Sequence, residues 1–160
     1  MRGNHHKLSK PKETSAPEPI RGKALTPLLL QYIDGEQWLN TARFSWQFRD
    51  GTIVTVQDGF IHDFNSIPWI ARRVLPKVKH GEAGNIHDWL YRFCGAITVE
   101  IDGEQTQVQW SREECDLRYR EILEDTGATP FIVKSMFKAV RVGGWKSWRE
   151  HAQRIAKEAK

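Results

Sequence analysis

Apolar and polar positions alternate with a period of two early in the folded part of the chain and shift to helical spacing further on. Leu28 to Ile33, Trp38 to Phe48 and Thr52 to Val56 are rich in β-branched and aromatic side chains, the composition of strands. Asp34-Gly35 and Asp50-Gly51 separate these runs, and such pairs supply the backbone angles of tight hairpin turns. The spacing predicts an antiparallel meander with Phe44, Trp46 and Phe48 on one face, because successive strand side chains point to opposite sides. That aromatic face reads as core.

After Gly59-Phe60 the sheet pattern gives way to helices. Pro68 disfavours helical backbone at Ile67 and is well suited to open a helix over Trp69 to Leu75. Gly81 to Phe93 reads as a helix ending near Gly95. Ile97 to Ile101 and Thr106 to Trp110 flank Asp102-Gly103-Glu104, a second hairpin. Ser111-Arg112-Glu113-Glu114 is a capping box, in which Ser and Glu side chains satisfy backbone N–H groups that a helix start leaves bare. It predicts a helix from Arg112 to about Asp125, with Gly127 as its stop. Pro130 opens another helix with Phe131, Ile132, Met136, Phe137 and Val140 as its stripe, and Gly143-Gly144 is expected to break it before a last basic helix from Trp145. The expected fold is α+β: a small N-terminal antiparallel sheet packed with a bundle of about four helices, with one inserted hairpin.

Composition sets the boundaries. Residues 1–23 combine Pro11, Pro17 and Pro19 with charged and small polar residues, too little apolar surface to offset the entropy of ordering, so a disordered basic arm is expected there. Residues 24–160 then form a single globular domain, for which a hydrophobic content of 39% suffices. The net charge of +4 resides in that arm, which carries six Lys or Arg against two Glu. The remainder is neutral but polarised, with eight basic residues and only Glu150 and Glu158 from residue 134 onward. Basic ends suit anionic partners, although a solvated charged helix face is the commoner meaning. Nucleic acid is the least favoured partner, because no recognised reading motif accompanies the charge. No apolar run is long enough for a transmembrane segment and no signal peptide is read, so a cytoplasmic location is expected. Cys94 and Cys115 lack metal-ligand spacing and are expected as reduced, unpaired thiols.

The densest chemistry is His87-Asp88-Trp89-Leu90-Tyr91. On a helix His87 and Tyr91 share a face, Asp88 lies beside them, and Asp116 waits in the second turn of a later helix. Two readings stand together. One is an active site; the other is a buried hydrogen-bond network, since a buried imidazole needs partners such as carboxylates and phenols. Asp63, in the turn closed by Pro68, either caps a helix with its neighbours or reaches the His-Asp cluster.

Asp58-Gly59-Phe60-Ile61-His62-Asp63-Phe64-Asn65-Ser66-Ile67-Pro68, Ile86-His87-Asp88-Trp89-Leu90-Tyr91-Arg92, Ser111 to Asp116 and Val140-Arg141-Val142-Gly143-Gly144 together resemble the family called domain of unknown function 1353, over roughly residues 28–148. His62, Asn65 and Cys115 stand where that family usually has Thr, Ala and Ala. Its members are frequent in bacteriophage and prophage genomes. The resemblance therefore implies a phage protein, located in the host bacterial cytoplasm or in the virion, with other phage proteins as partners. A non-catalytic structural, tail or assembly role fits it.

A second, local resemblance concerns chemistry. His87-Asp88-x-x-Tyr91 with Asp116 on a later helix is similar to the calcium-dependent secretory phospholipases of the A-two type. Carried over, it implies His87 as general base, Asp116 as its orienting carboxylate and Tyr91 as the partner of Asp116. It implies Asp88 as a ligand of calcium or another divalent metal, with Asp63 as the candidate from the preceding turn. The implied activity is metal-assisted hydrolysis of esters in anionic lipid or cell-envelope material. A carboxylate on one imidazole nitrogen fixes the tautomer and leaves the other nitrogen to take a proton from water.

Overall fold

Turn chemistry sets the strand order. The computed structural model describes residues 20–35, 37–63 and 80–160. The elements run β1 (Lys23–Ala24), β2 (Leu30–Tyr32), β3 (Trp38–Asn40), β4 (Phe44–Gln47), β5 (Ile53–Val56), β6 (Ile61–His62), α1 (Gly81–Arg92), β7 (Ala96–Ile101), β8 (Glu104–Gln109), α2 (Arg112–Asp125) and α3 (Pro130–Glu158). Both early hairpins form where Asp-Gly pairs stand, with φ at +52° for Gly35 and +87° for Gly51. At the third, Asp102 and Gly103 both take positive φ, as a two-residue turn matched to strand twist requires.

All strand pairings are antiparallel, but the meander divides into two sheets. One has the order β1-β4-β5-β7-β8 and the other β2-β3-β6. The run from Trp38 to Phe48, expected as one strand, is two. At Thr41 the chain leaves the small sheet: the Thr41 N–H and hydroxyl both donate to the Leu29 carbonyl, and the Asn40 side chain turns inward to Asn85. The hairpin β7-β8 belongs to the large sheet, where β7 pairs with β5.

One face of the large sheet carries the core. Phe44, Trp46 and Phe48 are buried as their alternation predicts, opposite Val56 and Val54, and Ile97 and Val99 continue the layer. Three helices close over it among the described residues. Ala83, Ile86 and Leu90 of α1, Cys115, Tyr119 and Ile122 of α2, and Val133, Met136 and Val140 of α3 each recur at helical spacing and are buried. Burying a side chain of this kind contributes about 1.5–3 kcal/mol relative to leaving it exposed. The capping box at Ser111 is formed on both sides, and Gly127 takes φ +78° beyond the end of α2.

The expected count of about four helices is corrected to three among the described residues. The helix expected over Trp69 to Leu75 lies outside the described residues, as does the arm over residues 1–19. Further on, Gly143-Gly144 does not break the chain, and the basic segment from Trp145 continues α3. Gly144 is there because space is short: a Cβ would lie 2.5 Å from the Tyr91 hydroxyl oxygen. A residue that looks like a helix breaker is a helix-packing contact. At the other end, Lys23 pairs with Gln47 and so belongs to the sheet rather than to an arm.

Candidate functional site

Packing of α1 on α2 brings His87, Tyr91 and Asp116 together in the core, at relative exposures of 1%, 0% and 0%. His87 Nε2 lies 2.8 Å from Asp116 Oδ1, and the Tyr91 hydroxyl donates to the same oxygen at 2.7 Å. Asp116 Oδ2 accepts from Arg141 of α3 at 2.9 Å and from Arg112, one turn earlier on α2, at 3.4 Å. One carboxylate thus gathers donors from all three helices. The imidazole sits between two phenol rings, with centroids 4.2 Å away for Tyr91 and 4.7 Å for Tyr119. Trp148 of α3 packs edge-on against Tyr91 at 5.1 Å.

The protonation states follow from burial and partners. Burial pushes the His87 imidazole below its ordinary value, outweighing the upward pull of Asp116. For Asp116, burial pushes upward, but hydrogen bonds from His87, Tyr91 and Arg141 overcome it and hold the carboxyl low. Near neutral pH the pair is therefore a neutral imidazole donating from Nε2 to a carboxylate. His87 Nδ1 is buried with no hydrogen-bond partner among the described residues. The proton on Nε2 leaves that nitrogen with its lone pair. Burial and the neighbouring Asp116 raise Tyr91, so its phenol remains a donor.

Asp88 points elsewhere. It lines a cavity of about 560 Å³ together with Asp63, His62, Arg92, Lys146, Glu150 and His151, and His87 is not among the lining residues. His62 Nε2 receives the side-chain N–H of Asn85 at 3.0 Å, which places its proton on Nδ1, 3.8 Å from Asp88 Oδ2. Burial lowers His62 to about 4, so near neutral pH its ring is uncharged and the contact with Asp88 is not an ion pair. Asn85 in turn exchanges hydrogen bonds with Asn40, tying the cavity wall to β3.

The five residues singled out from the sequence therefore separate into a buried trio and two carboxylates on a neighbouring cavity. Asp88 and Asp63 alone do not suffice for calcium, which takes six to eight oxygens. Among the described residues no group of three or more His, Cys, Asp or Glu could hold a metal ion.

The sequence reading missed Arg112, Arg141 and Trp148 around the trio and His62 and His151 in the cavity. Two signals were visible. Arg112 stands four residues before Asp116, the spacing of an intrahelical ion pair, and Arg141 interrupts an apolar stretch between Val140 and Val142.

The family model described as "Protein of unknown function (DUF1353)" matches residues 38–140. The chain belongs to that family. No curated protein matches the chain, and no solved structure does. The DUF1353 match takes in His62, Asp63, His87, Asp88, Tyr91, Arg112 and Asp116. It stops one residue before Arg141, so the α3 side of the cavity, with Lys146, Glu150 and His151, lies beyond the matched DUF1353 region.

Proposed function

We propose that this DUF1353 protein is a hydrolase in which His87 acts as a general base toward water and Asp116 holds it in the required tautomer. The observation that carries the proposal is the division of the imidazole: Nε2 is committed to Asp116 at 2.8 Å, and Nδ1 has no hydrogen-bond partner among the described residues. A buried nitrogen left this way costs free energy in a purely structural network, and a role in proton transfer accounts for it. Burial that disfavours the imidazolium keeps the base unprotonated near neutral pH, and the Asp116 carboxylate stabilises the charge when a proton arrives. Water must reach Nδ1, and the cavity at Asp88, the next residue in the chain, is the proposed route for it and for substrate. The substrate class remains that of the phospholipase resemblance, esters of lipid or cell-envelope material, in the phage setting that the family resemblance implies.

A second reading is favoured by a specific observation: the trio is fully buried, and Asp116 is bonded from α1, α2 and α3 at once. In that reading the trio clasps the helices of a non-catalytic phage structural, tail or assembly protein.

His87→Gln separates the two, because Gln keeps a donor toward Asp116 but has no base. Hydrolysis of short- and long-chain nitrophenyl esters and of phospholipid vesicles is measured for both proteins, with and without calcium, beside their melting temperatures. Hydrolysis by the wild type that falls at least about a hundredfold in the variant, with melting little changed, is the expected result. No hydrolysis by the wild type, with a variant that only melts earlier, establishes the clasp instead.

A further inference from the structure

Along its solvent side α3 carries an uninterrupted row of large apolar and basic side chains. Phe131, Lys134, Lys138, Val142, Trp145 and Arg149 are all exposed, Phe131 at 71%, Val142 at 68% and Trp145 at 50%. At 100° per residue they fall within about 60° of one line along the helix, and Phe131 to Trp145 spans about 21 Å. All six positions follow one another at spacings of three or four residues, and no acidic side chain interrupts the row. The Arg149 guanidinium lies over the Trp145 ring, 4.8 Å from its centroid, so the indole and the charge present themselves together.

We infer that this face of α3 docks on an anionic lipid surface, with the helix lying in the headgroup plane. The apolar side chains enter the interface while Lys and Arg meet lipid phosphates, the division of labour of an interfacial amphipathic helix. Tryptophan suits that boundary because its ring has an apolar body and a polar N–H. Docking here is peripheral: no helix among the described residues is long and apolar enough to cross a membrane. Charge and shape separate lipid from the other occupants. A second copy of α3 would set the same basic row against itself, and a nucleic acid backbone would satisfy the Lys and Arg side chains while leaving Phe131 and Val142 against hydrated phosphates. The residue before Val142, Arg141, turns inward to Asp116, so the docking face and the buried trio share one helix. Docking does not depend on His87 being catalytic.

The test is co-sedimentation of the full chain with sucrose-loaded vesicles of phosphatidylcholine, with and without phosphatidylglycerol, at low and high salt. Two double variants, K138E/R149E and F131S/V142S, change only exposed side chains, and circular dichroism checks that each keeps its fold. The expected result is binding to the phosphatidylglycerol vesicles that falls at least about tenfold in the charge-reversed protein and clearly in the apolar variant. Absence of vesicle binding overturns the proposal. So does binding that neither variant alters, which would assign it to the basic N-terminal residues. Binding lost on charge reversal but unchanged in F131S/V142S, with duplex DNA bound equally well, would show simple charge adsorption and also overturn it.

Discussion

Gly144 of α3 lies directly against the side chain of Tyr91 on α1: a Cβ at Gly144 would approach the Tyr91 hydroxyl oxygen to 2.5 Å and two ring carbons to 3.1 Å. Helix propensity alone makes Gly→Ala stabilising by about 1 kcal/mol in a helix interior. Here the sign reverses. Gly144→Ala is expected to destabilise by about 1–3 kcal/mol, the cost of forcing extra volume into a packed site. Urea denaturation of the two proteins checks it, and a cycle with Tyr91→Phe locates the cause: removing the hydroxyl should recover part of the loss. Full additivity in that cycle would mean that Tyr91 is not the obstacle.

The same hydroxyl donates to Asp116, a buried carboxylate, and bonds to charged groups contribute about 1.5–3 kcal/mol. Tyr91→Phe is therefore expected to lower stability by about that amount. Asp116→Ala is expected to cost about 3–5 kcal/mol, because it leaves His87, Tyr91 and Arg141 without their common acceptor. Chemical denaturation of each single variant and of the pair gives the coupling between them. A double variant as unstable as the sum of the singles would remove the 2.7 Å contact from the account of the fold.

Local elements were legible because their causes are local. Asp-Gly turns, the Ser111 to Glu114 box, Pro130 at the start of α3 and the alternation of Phe44, Trp46 and Phe48 all act within a few residues. Gly143-Gly144 was misleading for the opposite reason. Its meaning is set by a tyrosine more than fifty residues earlier, and local propensity reads only a breaker. The division into two sheets was hidden likewise, since Trp38 to Phe48 is continuous in pattern and is parted by the contacts of Asn40 and Thr41 with Asn85 and Leu29. Within the site, helical spacing placed His87 and Tyr91 on one face, and the packing of α1 on α2 brought Asp116 to them. Burial was the part spacing did not supply. A pattern shows which residues share a face, whereas the distinction between the enclosed trio and the cavity at Asp88 depends on Arg141, Trp148 and the small sheet closing around them.

Stability is expected to fall as pH drops from about 6.5 toward about 4, the window set by His62. Above the ordinary imidazole value the ring is neutral both folded and unfolded, and its contribution to stability is fully present. Below that value the unfolded chain takes up a proton that the buried ring refuses, so stability is lost until the folded value is reached. One such group gives a slope of up to about 1.4 kcal/mol per pH unit. His87, shifted the same way by burial, steepens it. Urea midpoints across this range check the slope, and His62→Gln should flatten it while lowering stability at pH 7. An unchanged slope in that variant would show that His62 is accessible to protons in the folded protein.

The two thiols offer a probe of how firmly α1 and α2 are closed on each other. Cys115, next to Asp116 on α2, is fully buried, and burial together with the neighbouring Asp116 and Glu114 charges pushes its thiol from 9.0 up to about 12. Cys94, just beyond α1, is only partly buried and donates to the Trp148 carbonyl at 3.6 Å. Reaction with an aromatic disulfide reagent needs the thiolate, so at pH 8 native Cys115 is disfavoured twice, by access and by about a thousandfold less thiolate than an ordinary cysteine. One equivalent is expected to react slowly in the native protein and the second only as the chain unfolds in guanidinium, with Cys94→Ser assigning the slow native phase. Because Cys115 is exposed only when α2 separates from the core, its rate should rise in Tyr91→Phe and Gly144→Ala in step with their loss of stability. Rapid native labelling of Cys115 would mean that the helices open locally without global unfolding. Water would then have a second path to the trio, beside the route proposed through the cavity at Asp88.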